Sequence, residues 1–362
     1  MTFANTMGFS WTISDDPAAL LRAELADVLA VKQVTTSRAP DGPVRFVGHL
    51  LRDAESAFPV LEQRFRRLGY TPLLRREGEA DVVLALHGLV RPGASNPLVN
   101  LILFVATVAS TIFAGTFFTN PIPGLTRLEG GALFSASILL ILGTHEFGHY
   151  FLARFHQVAV TLPYFIPFPL GAIGTFGAFI QMKSPVRTRK ALFDVALAGP
   201  LAGLVVAIPV LAIGLLLSPI VPRFGGRALE GSLLVDALVA LVRPRPAGTA
   251  ILLHPIAWAG YIGLLVTGIN LLPAGQLDGG HTAYAIFGRG ARWLAGLTVL
   301  AIGALALITR QPGWYLWLFF IFATGMTHAE PLNDITPLDT PRKIVGIATL
   351  ALLFVLLSPS ML

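Results

Sequence analysis

The chain of 362 residues contains no cysteine, so disulfide bonds and thiolate metal sites are excluded. It is also poor in charge, because Asp, Glu, Lys and Arg together make up only 13% of the residues, whereas hydrophobic residues make up 54%. A typical soluble domain carries about twice that share of charged residues. These deficits predict a chain that is largely embedded in a lipid bilayer. Any metal that it binds must be held by imidazole and carboxylate groups, which suit zinc among other ions.

The few charged residues are unevenly distributed, and about half of them lie within the first 96 positions. Helical periodicity covers 17–30 and 55–69, and strand patterns cover 44–51, 70–77 and 81–88. The turn-forming stretch RPGASNP (91–97) follows as a linker. The sequence therefore predicts a small soluble α/β domain over residues 1–96 and a membrane-embedded domain over residues 97–362.

The second part contains apolar segments long enough to cross a bilayer as helices, for which about 20 residues are needed. The seven predicted spans are 98–118, 131–153, 191–217, 255–272, 291–309, 313–328 and 344–358. A shorter segment, 229–242, is interpreted as an interfacial or re-entrant helix. A small excess of basic residues in the loops on one side predicts a cytoplasmic N-terminal domain. We expect a polytopic α-helical membrane protein.

The formal net charge of +6 could indicate a nucleic-acid partner. No basic stripe with interleaved aromatic residues is present, however, so we expect no nucleic acid and a lipid bilayer as the surroundings. The first residues lack the basic region and apolar core of a signal peptide, and they do not resemble a transit peptide. We therefore expect a bacterial plasma membrane.

A metal-binding motif, HEFGH (145–149), lies at the end of the second predicted span. Residues four apart share one face of a helix, so His145 and His149 can reach one cation and Glu146 can reach a water beside it. Ionisable residues in an apolar span are costly and usually functional. The alternative is a helix end whose polar groups simply meet water.

A catalytic zinc needs a third protein ligand and an open position. The stretch NLLPAGQLDGGH (270–281) supplies Asp278, which follows an apolar span and precedes two glycines. Spacing alone leaves an equal alternative, in which Asp278 is the N-cap of a helix over 279–288.

The HEFGH and NLLPAGQLDGG motifs together resemble the site-2 protease family of intramembrane zinc metalloproteases. The resemblance covers roughly residues 98–330, and the stretch 174–203 resembles the bacterial and plastid branch with a soluble N-terminal domain. It implies one Zn²⁺ per chain on His145, His149 and Asp278, with Glu146 as the catalytic glutamate. It also implies membrane-protein substrates cut within or near a transmembrane helix, in regulated intramembrane proteolysis.

Further candidate site residues come from the same resemblance and from positions in the sequence itself. Asn270 is a candidate oxyanion or substrate contact, although it could equally bond the helix backbone. A short membrane-associated sheet is implied around 174–182, whose edge could receive an extended substrate. Its candidate residues are Gly174, Phe176, Gly177 and Phe179. His281 is a candidate for orienting the Asp278 carboxylate, or it merely adds polarity to a helix start. The small-residue pattern GPLAG (199–203) predicts tight packing against the HEFGH helix.

Two other functions compete with a protease. A membrane transporter or metal-ion channel could use the same His and carboxylate groups as an ion path, but it needs no such spacing and usually shows repeat symmetry. A protease-shaped binding protein would be expected to lose Glu146 or a ligand, and none is lost here.

Overall fold

The computed structural model describes residues 16–37, 39, 42–90, 93–118, 122–222, 231–325 and 330–357. The chain divides into two compact units. Unit 1 comprises Met1–Val90 together with Leu332–Thr336, and unit 2 comprises Arg91–Pro331 and Pro337–Leu362. The sequence-based boundary at residue 96 did not anticipate the second, distant segment of unit 1.

Unit 1 is an antiparallel sheet covered by two helices. Its elements are α1 (Pro17–Glu24), β1 (Leu29–Thr36), β2 (Val44–Leu50), α2 (Ala54–Arg67), β3 (Tyr70–Glu77) and β4 (Ala80–His87), with strand order β1-β2-β4-β3. The two helices and the sheet bury a common apolar core that includes Leu21, Phe46, Leu61, Phe65 and Leu74. Asp16 and Asp53 accept backbone N–H bonds at the starts of α1 and α2, which fixes where each helix begins.

The distant segment of unit 1 runs beside the edge strand β3. The N–H of Leu74 donates to the carbonyl of Leu332 (2.8 Å), and the N–H of Asp334 donates to the carbonyl of Leu74 (3.1 Å). Leu332 belongs to the core of unit 1, and the fully buried Asn333 donates to the carbonyl of Ala54. β3 is therefore bridged at Leu74 by a piece of chain that comes from far along the sequence.

Unit 2 is predominantly helical. Its helices are α3 (Pro97–Phe118), α4 (Arg127–Phe155), α5 (Arg189–Leu217), α6 (Leu233–Val242), α7 (Pro255–Asn270), α8 (Asp278–Phe287), α9 (Ala291–Thr309), α10 (Pro312–Thr324), α11 (Thr340–Ala351) and α12 (Leu353–Leu356). Its strands are β5 (Tyr164–Pro167), β6 (Thr175–Phe179), β7 (Ile220–Pro222) and β8 (Thr249–Ile251), which form two separate antiparallel pairs, β5 with β6 and β7 with β8.

Among the described residues, four helical segments are long and apolar enough to cross a membrane. They are Pro97–Phe117, Arg127–Phe155, Arg189–Leu217 and Asp278–Thr309. The chain is thus an integral membrane protein by length and composition of its helices, while the count of seven spans stays a prediction. The predicted segment 229–242 is the ten-residue α6, although positions 229 and 230 lie outside the described residues, as do the last residues of the predicted span 313–328.

The N-terminal elements match the sequence patterns except at one point. The predicted helix 17–30 is too long, because α1 ends at Glu24 and β1 begins at Leu29. Four apolar residues in this stretch are all buried, namely Leu21, Leu25, Val28 and Leu29. Their spacing matches the apolar face of one continuous helix, although they belong to a helix, a turn and the start of a strand.

The centre of unit 2 is a tight bundle of α4, α5 and α7. The backbones come close where glycine replaces a larger residue. A Cβ on Gly148 of α4 would lie 2.6 Å from the carbonyl oxygen of Ala198 on α5. A Cβ on Gly260 of α7 would lie 2.6 Å from the backbone of Leu211 on α5. Small residues at such crossings let helices approach closely within a membrane, and this closeness brings side chains of separate helices to one site.

Candidate metal centre

Two imidazoles from α4 and one carboxylate from α8 meet inside unit 2. His145 Nε2 lies 3.2 Å from His149 Nε2 and 3.2 Å from Asp278 Oδ2, and His149 Nε2 lies 3.3 Å from the same oxygen. Both histidines are buried and Asp278 is nearly so, with 17% of its side chain exposed. Within the described residues, this is the group of three His or acidic side chains able to hold a metal ion.

The distances among these atoms suit a small tetrahedral cation. Bond lengths of about 2.0–2.1 Å to a tetrahedral zinc imply ligand-to-ligand distances of about 3.3 Å. The three measured distances fall at 3.2, 3.2 and 3.3 Å. Three protein ligands also leave the fourth position free, as in catalytic rather than structural zinc sites. The residues present therefore fit a zinc ion.

The tautomer of His149 is set by α5. Its Nδ1 donates to the backbone carbonyl of Val195 over 2.7 Å, so Nε2 carries a lone pair directed toward His145 and Asp278. A histidine ligand commonly has such a partner behind it, which orients the ring. The sequence did not point to Val195, because every residue type has a backbone carbonyl and the contact therefore does not require a particular side chain.

Gly199 provides the space for the same imidazole. A Cβ built at this position would lie 2.1 Å from His149 Nε2. One turn further along α5, a Cβ on Gly203 would lie 3.2 Å from His145 Nδ1. The GPLAG pattern does pack against the HEFGH helix, as predicted, and its glycines specifically admit the two histidine rings.

Glu146 lies beside the three ligand atoms without joining them. It is buried, with 6% of its surface exposed. The backbone N–H of Ile180, the residue that follows β6, interacts with its carboxylate. The end of β6 therefore reaches the carboxylate that the motif singles out.

Two predicted site residues flank Asp278 in the sequence, Asn270 before it and His281 after it. The side-chain amide of Asn270, at the end of α7, lies 3.4 Å from His145 Nε2, so the structure brings it to the site. His281 lies one turn after Asp278 on α8, with a buried ring Nδ1. The Asp278 carboxylate contacts His145 and His149, and a role for His281 in orienting it stays a prediction.

Asp278 is the first residue of α8, and Leu277 is the N-cap, with no side-chain capping bond. The alternative prediction of Asp278 as the N-cap of a helix over 279–288 is therefore wrong. Its carboxylate is directed to the imidazoles instead. The helix begins in the stretch that contains Gly275, where φ is +58°, a conformation that glycine adopts readily.

The predicted strand is present as β6, paired with β5, and its association with the membrane stays a prediction. Phe176 and Phe179 are half exposed and stack on Phe168 and Tyr164 respectively. Gly177 has φ of +99° and open space beside it.

Gly174 differs from these three candidates. It is buried against α3, where its carbonyl accepts a 2.6 Å bond from Ser110, and a Cβ would lie 2.4 Å from the Ser110 carbonyl oxygen. Packing on α3 therefore explains this glycine without a substrate.

Known proteins similar to this chain include a peptidase family and several plant zinc metalloproteases. Residues 133–307 match the model of Peptidase family M50. The chain is 29% identical over 93% of its length to "Probable zinc metalloprotease EGY1, chloroplastic" of Oryza sativa subsp. japonica, and 31% identical over 87% to its Arabidopsis thaliana namesake. It is 35% identical over 61% to "Probable zinc metalloprotease EGY2, chloroplastic" of Arabidopsis thaliana. It spans 68%, 66% and 40% of these relatives.

No solved structure matches the chain significantly. The relatives' names carry the word zinc, in agreement with the donor set described above. They also carry the word chloroplastic, so the comparisons lend no support to a bacterial plasma membrane.

Proposed function

Because residues 133–307 belong to peptidase family M50, we propose that this chain is an intramembrane zinc metalloprotease. It would hydrolyse peptide bonds within or near transmembrane segments of other membrane proteins. One observation carries the proposal above all. His145, His149 and Asp278 offer three ligand atoms at tetrahedral spacing, with the carboxylate of Glu146 beside them and long apolar helices around them.

Glu146 is proposed as the general base and acid. A zinc ion held by the three ligands would supply Lewis acidity for the substrate carbonyl and lower the pKa of water. The Glu146 carboxylate would accept the proton of the attacking water and pass it to the leaving amine. Its burial keeps bulk water from competing for that proton.

Asn270 is proposed to stabilise the negative charge that develops on the carbonyl oxygen. Its amide is 3.4 Å from His145 Nε2, close to where the reacting carbonyl must approach. A fixed amide donor at that point favours the tetrahedral arrangement over the planar substrate.

The substrate is proposed to bind along β6. A peptide bond inside a helix is shielded, so the substrate must unwind and its freed backbone needs hydrogen-bond partners. An extended segment can pair with a strand edge. β6 runs toward Glu146 through Ile180, and Phe176, Gly177 and Phe179 are its accessible residues. Membrane proteins with a transmembrane helix are therefore the substrates we propose, in regulated intramembrane proteolysis.

The proposal can be tested with the full chain purified in detergent and reconstituted in lipid vesicles with a model single-span membrane protein. Bound zinc is measured by mass spectrometry and cleavage by gel. We expect Glu146→Gln to retain one zinc per chain and to lose cleavage by at least about 100-fold, since general acid–base groups contribute about 10²–10⁴.

Glu129→Gln is the matched control. Glu129 is on the same helix, where it forms a capping box with Thr126, and glutamine also suits that position. We expect its zinc content and cleavage rate to equal those of the wild type. Cleavage by Glu146→Gln at the wild-type rate would refute the proposal, and transport of zinc across the vesicles without cleavage would favour a transporter.

A further inference from the structure

A charged cluster in unit 2 lies outside the proposed metal site and has no part in the proposed chemistry. Asp194, on the second turn of α5, accepts a bond from His156 Nε2 over 2.9 Å. It also accepts two from Arg342 of α11, through Nε at 2.7 Å and Nη2 at 2.8 Å. Asp339, the N-cap of α11, accepts from the same guanidinium. Three helices are thus joined at one carboxylate.

A gain in folding stability is a weak explanation for this cluster. The Asp194 and His156 side chains are 17% and 19% exposed, so both are largely removed from water. Placing ion pairs in such surroundings gains little net stability compared with apolar packing. Such a cluster does, however, fix the positions of the three helices relative to one another.

The helix positions that the cluster fixes include the contact between α5 and the proposed metal ligand His149. His156 is the C-cap of α4 and follows His149 by about two helical turns. Asp194 immediately precedes Val195, whose carbonyl accepts the His149 Nδ1 bond. The bond between His156 and Asp194 therefore ties α4 and α5 together next to the contact that orients the His149 ring.

We infer that Asp194 is a positioning residue for the metal site. By holding His156 and Arg342, it keeps the first turns of α5 in register with α4, so that the Val195 carbonyl stays in line with His149 Nδ1. The inference rests on the proposed function, because it assigns the cluster to the ligand set described there. Loss of a partner behind a metal ligand typically weakens metal affinity by about 10–100-fold.

The test uses the full chain in detergent. Zinc affinity is measured by competition with a chromogenic chelator, and site geometry by the visible absorption bands of the Co²⁺-substituted protein. For Asp194→Ala we expect a zinc Kd raised by about 10–100-fold and shifted cobalt bands. We also expect a lower kcat on the model substrate, with KM within about twofold of wild type because no substrate contact changes.

Asp236→Ala is the matched control. Asp236 is an exposed carboxylate on α6 of the same unit, and its removal should leave the zinc Kd and the cobalt bands unchanged. Should Asp194→Ala fail to fold, His156→Ala and Arg342→Met each remove one arm of the cluster and are measured in the same way.

Wild-type zinc affinity or wild-type cobalt bands in the Asp194→Ala protein, or in both single-arm variants, would overturn the inference while leaving the proposed function intact. A wild-type chain that binds no zinc would overturn both. The two failures are therefore distinguishable.

Discussion

The two units of this chain place their charged groups in opposite ways. In unit 1 two ion pairs, Arg45 with Glu77 and Arg52 with Asp27, lie at the surface, with a third or more of each side chain exposed. The core beneath them is apolar. In unit 2 the ionisable groups of the metal site are buried, and the outward-facing residues include many large apolar side chains.

The difference shows what each kind of surroundings permits. Water screens a surface pair, which contributes about 0–1 kcal/mol and is easily replaced. An ionisable group buried in a membrane-embedded unit costs free energy unless a partner or a metal compensates it, so its presence there indicates a function. The comparison predicts large effects on metal binding from small changes near the buried groups of unit 2, and modest effects on stability from changes in unit 1.

The largest expected effect comes from one methyl group in unit 2. Gly199→Ala places a Cβ where the His149 ring now lies, so the imidazole must leave its position. We expect zinc affinity to fall by at least about 100-fold, beyond the usual range for residues behind a ligand. Chelator competition measures it. Gly303→Ala on α9, where a Cβ meets nothing within 4 Å, is the control, and equal affinities for both variants would contradict the prediction.

A buried carboxylate in unit 1 should affect stability and not metal binding. Asp81 is 6% exposed and accepts from the Leu50 N–H and from Arg76. Asp81→Ala leaves that N–H without its partner, which costs about 1–3 kcal/mol. Amide hydrogen exchange of unit 1 peptides in the full chain measures the loss. Glu79→Ala, at an exposed turn position, should change exchange little; a comparable loss there would remove the distinction.

An exposed ion pair in unit 1 should matter less. Arg45→Ala removes the pair with Glu77, and we expect a change of about 0–1 kcal/mol in the stability of unit 1 by the same exchange measurement. Raising the salt concentration should reduce the difference between variant and wild type. A loss as large as that of Asp81→Ala would show that the surface pairs of this unit are not replaceable.

The smallest expected effect is a dependence of unit 1 on pH. The bond from Arg64 holds the pKa of the Asp27 carboxyl below its ordinary value, and bonds from Ser56 do the same for the pKa of Asp53. A lowered folded-state pKa stabilises the unit above the unfolded value of about 3.9, and this stabilisation is lost as the pH falls through the folded pKa.

We therefore expect protection of unit 1 amides, corrected for intrinsic exchange rates, to decline below about pH 4. The decline should be shallower in Asp27→Asn. A rise in protection on acidification would contradict the prediction.

Local sequence signals predicted most of the elements. Apolar length located α3, α4 and α5 within a few residues, and HEFGH placed His145, Glu146 and His149 on one helix. The count of seven spans went beyond what the described helices show, because apolar segments such as α7 and α11 are shorter than a bilayer crossing requires.

The remainder of the site depends on contacts between distant parts of the chain. Spacing alone could not decide whether Asp278 was a ligand or a cap, and the family resemblance was needed. Arg342 and Asp194 form a hydrogen bond although they are 148 positions apart in the sequence, and no local sequence pattern predicts such a contact. The one signal in the sequence is an acidic residue near the start of an apolar span.

The pairing of Leu332–Thr336 with β3 has a consequence for synthesis. Unit 1 is completed by residues that leave the ribosome only after α3 to α10. At about 5–20 residues per second, the nascent domain must wait on the order of ten to fifty seconds for this last piece. Until then the bonds at Leu74 and the buried position of Leu332 are unfilled, so unit 1 completes its fold only after most of unit 2 has been synthesised.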